Sequence, residues 1–300
     1  MHSFVCVFIG DKMPDEAIGK NTGNPLQKYF RQPKLHIRLP SQGKYYPDGV
    51  LEMSDSGEVA VYPLTAKDEL LLKTPDSLMN GTATADVIKS CVPAIKQPWY
   101  MPSLDVDAVL MAIRIATYGE KMTLTVKVPE IGDEKDYEID LTTVMEKIMS
   151  ARYDNVIMVD NMKITLRPLT YTEFTTDAIK SFEEQRVYSL INDDTVPSEQ
   201  KMERFRQAFI RLTDLTVNTV AKSISQIEVD GQTVTEPKHI LEFMQNTSKE
   251  FYTKILNHIS EQRDKFGTKP FVATTTKEEQ ERGAPETFEV PITFDQSNFF

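Results

Sequence analysis

The stretch that decides the architecture is residues 202–244, MERFRQAFIRLTDLTVNTVAKSISQIEVDGQTVTEPKHILEFM, in which the apolar spacing changes period twice. Met202, Phe205, Phe209, Leu212, Val217, Val220 and Ile224 keep close to helical intervals. One long helix is therefore predicted over 197–224, with Pro197 at its first position, Glu199 behind it and one apolar stripe facing a partner. Gln226-Ile227-Glu228-Val229 and Gln232-Thr233-Val234 then alternate around Asp230-Gly231, a dipeptide that tolerates the positive φ of a tight hairpin. Pro237 restarts a helix over 237–245. Helix, hairpin and helix in one stretch make the chain α+β and mainly helical.

Working outward toward the C-terminus, a further helix is expected over 247–266, a strand over 269–276 and a charged loop over 277–285. Thr287-Phe288-Glu289-Val290-Pro291-Ile292-Thr293-Phe294 alternates toward a tail ending Ser297-Asn298-Phe299-Phe300. In the other direction the patterns predict a long helix over 171–191, strands over 155–160 and 163–167, and a short helix over 142–149. Before these lies a hairpin from Thr123-Leu124-Thr125-Val126-Lys127-Val128 and Tyr137-Glu138-Ile139-Asp140-Leu141. Ser103 is read as the cap of a helix whose Val106, Val109, Leu110, Ile113 and Ala116 share a face, after a helix over 84–91. Thr65 caps another, with Asp68 and Glu69 in its first turn and Leu70, Leu71 and Leu72 as its buried side. Leu35, Ile37 and Leu39 with the run 58–63 make a small sheet, and residues 11–33 lack any period. The expected organisation is an N-terminal arm over 1–33, a small sheet with helices over 34–120 and a hairpin over 121–141. A mainly helical bundle over 142–266 and a C-terminal hairpin and tail over 267–300 complete it.

The chain of 300 residues carries 34 basic and 45 acidic side chains, a net charge of −11. A protein that tracks a phosphate backbone needs the opposite surplus to displace counterions, so nucleic acid is disfavoured as a partner. No stretch approaches the roughly 18 apolar residues of a spanning helix, so no membrane partner is expected. Two cysteines, Cys6 and Cys91, make neither a disulfide framework nor a Cys-rich metal site, which fits a reducing compartment. The apolar opening Phe4-Val5-Cys6-Val7-Phe8-Ile9 lacks a basic region before it and is followed by Asp11, so it reads as non-targeting. Met13-Pro14-Asp15 opens a polar segment, and residues 1–12 are expected to be an upstream extension.

Chemistry is sparse. The twelve glycines form no phosphate loop, and His2, His36, His239 and His258 share no short metal-ligand spacing. Ser41-Gln42-Gly43 is not a nucleophile elbow, and neither cysteine has a base beside it in sequence. The acidic runs Asp133-Glu134-Lys135-Asp136 and Lys277-Glu278-Glu279-Gln280-Glu281 read as solvated hairpin tips, and Asp105 and Asp107 as dipole complements at a helix start. No catalytic, metal or cofactor-binding residue is assigned, and no cofactor or small-molecule substrate is expected. A hydrolase acting on the cell envelope is the minor alternative, and it would need a cleft of titratable groups around His36 or His258.

Several stretches, taken in order, resemble one family. They are Leu39-Pro40-Ser41-Gln42-Gly43-Lys44-Tyr45-Tyr46, Tyr62-Pro63-Leu64-Thr65-Ala66-Lys67-Asp68-Glu69, Asn80-Gly81-Thr82-Ala83, Ile113-Arg114-Ile115-Ala116-Thr117-Tyr118-Gly119 and the closing Phe294-Asp295-Gln296-Ser297-Asn298-Phe299-Phe300. The chain is similar, from about residue 33 onward, to the baseplate hub assembly proteins, or hub assembly chaperones, of T-even-like contractile-tailed phages. The resemblance implies a non-enzymatic role in assembling the baseplate hub, with other phage baseplate hub proteins as partners. It also implies location in the host cytoplasm during assembly, a permanent subunit of the virion baseplate being the alternative. Many such proteins carry Cys-x-x-Cys pairs at their hairpins, resembling zinc knuckles. The corresponding stretches here, Val128-Pro129-Glu130-Ile131-Gly132 and Val272-Ala273-Thr274-Thr275, hold no cysteine. Metal-free hairpins held by cross-strand packing are therefore expected.

A chain with apolar arms, hairpin edges and an aromatic tail reads as an interaction protein. The candidate contact residues are Tyr29 and Phe30 in the arm, Tyr45 and Tyr46 after the Leu-Pro-Ser turn, and Phe294, Phe299 and Phe300 in the tail. The alternative for each is packing on its own domain, and for Tyr45 and Phe294 that is the favoured reading.

Overall fold

The computed structural model describes residue 24 and residues 26–74, 81–186 and 198–292. The chain divides into two units, Met1–Gln32 and Pro33–Phe300. The described part of the first holds one 3-10 turn, Gln27–Tyr29, without a buried residue.

In the second unit β1 (Leu35–Ile37) and β2 (Val59–Val61) pair antiparallel, followed by α1 (Ala66–Leu72), α2 (Thr82–Cys91) and α3 (Ser103–Tyr118). A hairpin of β3 (Lys121–Lys127) and β4 (Glu134–Asp140) leads into α4 (Leu141–Ser150). β5 (Val156–Val159), β6 (Met162–Leu166), β7 (Ile224–Val229) and β8 (Gln232–Val234) form a four-stranded antiparallel sheet in sequence order. Between β6 and β7 run α5 (Tyr171–Gln185) and α6 (Ser198–Lys222). The Arg167 N–H donates to the Ser223 carbonyl at 2.8 Å, so the chain leaves the sheet and returns to it at one point. α7 (Pro237–Asn246) and α8 (Lys249–Phe266) follow, and β9 (Phe271–Thr274), α9 (Lys277–Glu281) and β10 (Thr287–Val290) end the described chain. The architecture is α+β and mainly helical, with small sheets, as the two changes of period predict.

Ten of the sixteen residues of α3 are buried, which makes it a central helix rather than an amphipathic one. Val106, Val109, Leu110, Ile113 and Ala116 join β1, β2 and α2 in one core, while Met111 belongs to a second core built from the two outer hairpins. A third core lies between the four-stranded sheet, the end of α6, and α7 and α8. Asp230-Gly231 makes the β7–β8 turn with φ of 50° and 77°, the positive values for which this dipeptide is suited.

Five local expectations need correction. Pro102, not Ser103, is the N-cap of α3, and its fixed φ suits that extended position while Ser103 makes no side-chain cap. Leu70 is 68% exposed, so Leu72 carries the buried side of α1. α6 ends at Lys222 because Ile224 already pairs with Leu166 in the sheet. Residues 277–281 are helical, not a loop, since Thr276 and Glu279 cap each other's backbone reciprocally. The stripe on α6 is covered over only half its length: Val220 is buried, whereas Met202 and Phe209 are 70% and 59% exposed. α5 is described to Gln185, and the remainder of the helix expected over 171–191 lies outside the described residues but for Arg186.

Candidate interaction site

The Leu-Pro-Ser turn is fastened to α3 through Asp105. Its carboxylate accepts the Ser41 N–H at 2.7 Å, the Ser41 hydroxyl at 2.6 Å and the Tyr46 hydroxyl at 2.9 Å. Gln42, Gly43 and Tyr45 adopt φ of 57°, 75° and 68°, which coils the chain tightly enough for Ser41 and Tyr46 to reach one carboxylate. Burial pushes the Asp105 carboxyl up to about 6 against the pull of these hydrogen bonds. Asp105 does lie in the first turn of its helix, but its side chain is an acceptor for a distant turn as well as a dipole complement. The Ser41 hydroxyl and backbone N–H both donate to this carboxylate, which ties the turn to α3.

The expected contact aromatics fall into three groups. Tyr46 is spent on Asp105, and Tyr45 packs edge-on against Tyr153 at 5.6 Å, which in turn meets Phe266 at 6.2 Å. Tyr29 and Phe30 are 73% and 57% exposed. Phe294, Phe299 and Phe300 lie outside the described residues. Sequence reasoning missed a further exposed set, Phe174 and Phe182 on α5 and Ile210 on α6, beside Met202 and Phe209. The signal was present on α5, where Phe174, Ala178 and Phe182 follow at intervals of four residues.

The outer hairpins pack on each other. Met122, Leu124 and Ile139 of one share a core with Ala273, Val290 and Ile292 of the other, and Tyr137 sits against Phe271 at 5.8 Å and Phe288 at 6.1 Å. The two acidic runs are not separately solvated tips, because each supplies the other's partners. Lys135 donates to Glu279 at 2.9 Å and Arg282 to Asp133 at 2.5 Å. The hydrogen bond from the Thr276 N–H, then Lys135, holds the Glu279 carboxyl below its ordinary range. Val128 of the stretch aligned with a zinc knuckle is buried, while Glu130 and Gly132 are exposed. Among the described residues no three His, Cys, Asp or Glu side chains come together to hold a metal ion.

A cavity of about 860 Å³ lies among the start of α3, α5, α6, α8 and residues 267–270. Leu104, Val106, Leu215, Val220, Leu256 and Ile259 give it an apolar wall, and Phe174 stands among them half exposed. Several of its polar groups are engaged by neighbours. Asp177 accepts from Lys222 at 2.9 Å and from Thr219 at 2.8 Å, and Asp107 accepts from the Thr268 N–H at 3.0 Å. Arg167 forks onto Glu173 at 2.8 and 2.7 Å. Burial works against ionisation of Glu173, but Arg167 and Thr170 together hold its carboxyl down at about 2. His258 lies 2.9 Å from the Asp154 carbonyl and His36 is exposed on β1, and neither lines the cavity.

The family model described as T4 bacteriophage base plate protein matches residues 32–282. No curated protein and no solved structure matches the chain.

Proposed function

The chain belongs to the T4 bacteriophage base plate protein family, and from that premise we propose that it assembles the central hub of the baseplate, acting by protein contacts and without catalysis. A chaperone role, holding another hub protein in the host cytoplasm before the baseplate closes, is the form favoured. The observation that supports it is the contrast between polar and apolar groups. Asp105, Asp177 and Glu173 are all saturated by internal partners, while Tyr29, Phe30, Phe174, Phe182, Met202 and Phe209 stay exposed. Exposed large apolar groups are a feature of association sites. Of the seven contact residues expected from sequence, Tyr29 and Phe30 are retained in this role, joined by the exposed faces of α5 and α6. No helix of the described residues is long and apolar enough to cross a membrane.

Co-purification of the tagged chain from infected cells tests the proposal, with another baseplate protein expected in the eluate. Recovery of no baseplate protein would sink it. Mass spectrometry of finished particles separates the two forms of the role: absence from virions is expected of a chaperone, and a fixed copy number makes the chain a permanent subunit.

A further inference from the structure

Residues 26–30 form a helical turn that buries nothing. The Asn24 side-chain oxygen accepts the Leu26 N–H at 2.9 Å and the Asn24 carbonyl accepts the Gln27 N–H at 3.2 Å, so one residue caps the turn twice. The Tyr29 N–H donates to the Leu26 carbonyl at 2.9 Å and the Phe30 N–H to the Gln27 carbonyl at 3.1 Å, and the turn ends at Phe30, whose backbone is extended. Leu26, Tyr29 and Phe30 stand at positions i, i+3 and i+4, the spacing with which a helix presents anchors along one side. Leu26 is 61% exposed, like the two rings that follow it. A hydrogen-bonded turn with its anchors already outward loses less backbone freedom on binding than a coil does.

Charge gives the partner its sign. Between Glu16 and Asp48 the sequence holds six basic residues and no acidic one, in a chain whose net charge is −11. The Lys28 ammonium lies over the Tyr29 ring, 5.0 Å from its centroid, so a surface that receives Tyr29 meets a cation beside it. A nucleic acid and an anionic membrane share the required sign, but both are extended and would face the acidic remainder of the chain as well as the turn. An apolar groove with carboxylates at its rim offers that sign over the width of one helical turn. We propose that residues 26–30 dock as a helical turn into such a groove on another baseplate protein, with Leu26, Tyr29 and Phe30 filling it and Lys28 meeting a carboxylate of the rim. The inference rests on the baseplate reading for the class of the partner, and it adds the shape and charge of the surface that receives the arm.

Calorimetric titration of the full chain with the baseplate protein that co-purifies with it, each purified, tests the proposal. Leu26→Ser combined with Phe30→Ser is expected to weaken binding about tenfold at an unchanged melting temperature, because no residue of the turn is buried. The loss is partial, since the exposed faces of α5 and α6 remain. Lys28→Gln should weaken binding about twofold and Lys28→Glu about fivefold, a like charge against the rim being worse than none. Asn24→Ala should weaken it about threefold and Asn24→Ser should not, because serine keeps a capping oxygen. Affinity that ignores Leu26 and Phe30 overturns the inference and leaves the baseplate reading standing, whereas recovery of no baseplate protein overturns both. Equal effects of Lys28→Gln and Lys28→Glu overturn the acidic rim, and an Asn24→Ala chain that binds as well as the unaltered one overturns the helical mode. Binding of the full chain to phosphatidylglycerol vesicles or duplex DNA that Lys28→Glu abolishes, with the baseplate protein's affinity unmoved, assigns the turn to a phosphate surface instead.

Discussion

At Asp105 three donors converge on a carboxylate that burial has stripped of water, and no cation faces it among the described residues. Its folded-state pKa of about 6 lies above the ordinary 3.8, so the folded chain binds this proton more tightly than the unfolded one. The stability linked to it is full below about pH 3.8, falls as pH rises through 6 and amounts to about 3 kcal/mol for a gap of roughly two pKa units. Urea unfolding between pH 4 and 7 should therefore show a decline that Asp105→Asn removes, and parallel curves for the two chains would refute it. Asp105→Ala should cost about 2–4 kcal/mol at neutral pH, since three buried donors lose their acceptor. Gly43→Ala should cost at least about 1–2 kcal/mol by thermal melt, because φ is +75° and a Cβ would run into the Met53 sulphur. The motif around Ser41 was legible as a turn and Asp105 as a first-turn residue. Their bond was not, because 64 residues separate them and no local period carries that information.

Elements whose residues repeat were readable wherever the covering surface lay close in sequence. Val106, Val109, Leu110, Ile113 and Ala116 announced the buried face of α3, and Asp230-Gly231 announced its hairpin. What covers a stripe is decided by distant packing, which is why α6 could be drawn but not the point at which its stripe emerges from the core. Substitution separates the two halves. Val220→Ala should destabilise the free chain by about 1–2 kcal/mol, whereas Phe209→Ser and Met202→Gln should change it by under about 0.5 kcal/mol while reducing partner recovery in the pull-down. Equal losses of melting temperature in all three variants would show that the exposed half is packed in solution. Among the outer hairpins, Tyr137→Ala removes a ring that touches Phe271 and Phe288 and should cost about 2 kcal/mol in urea. The pairing of the two acidic runs was hidden for the same reason as Asp105, since Lys135 and Glu279 lie 144 residues apart.

For the whole molecule, the net charge of −11 is unevenly spread. The described parts of α5 and α6, residues 171–186 and 198–222, hold seven acidic and seven basic side chains, so the apolar face they expose carries no share of the excess. An association made through that face brings no net charge of its own to the contact. Partner recovery should accordingly hold when salt is raised from about 0.05 to about 0.5 M, a range over which exposed charges are progressively screened. A steep loss with salt would place the contact on the charged surfaces instead. The hydrogen bond between Arg167 and Ser223 gives the α5–α6 helix pair a further property. Its ends leave and rejoin adjacent strands, where the Arg167 N–H donates to the Ser223 carbonyl, so substitutions on the exposed faces of α5 and α6 need not shift the register of the sheet. The helix pair is thereby an insertion into a meander whose four strands run in sequence order, and what its exposed faces bind can change while the sheet stays as it is.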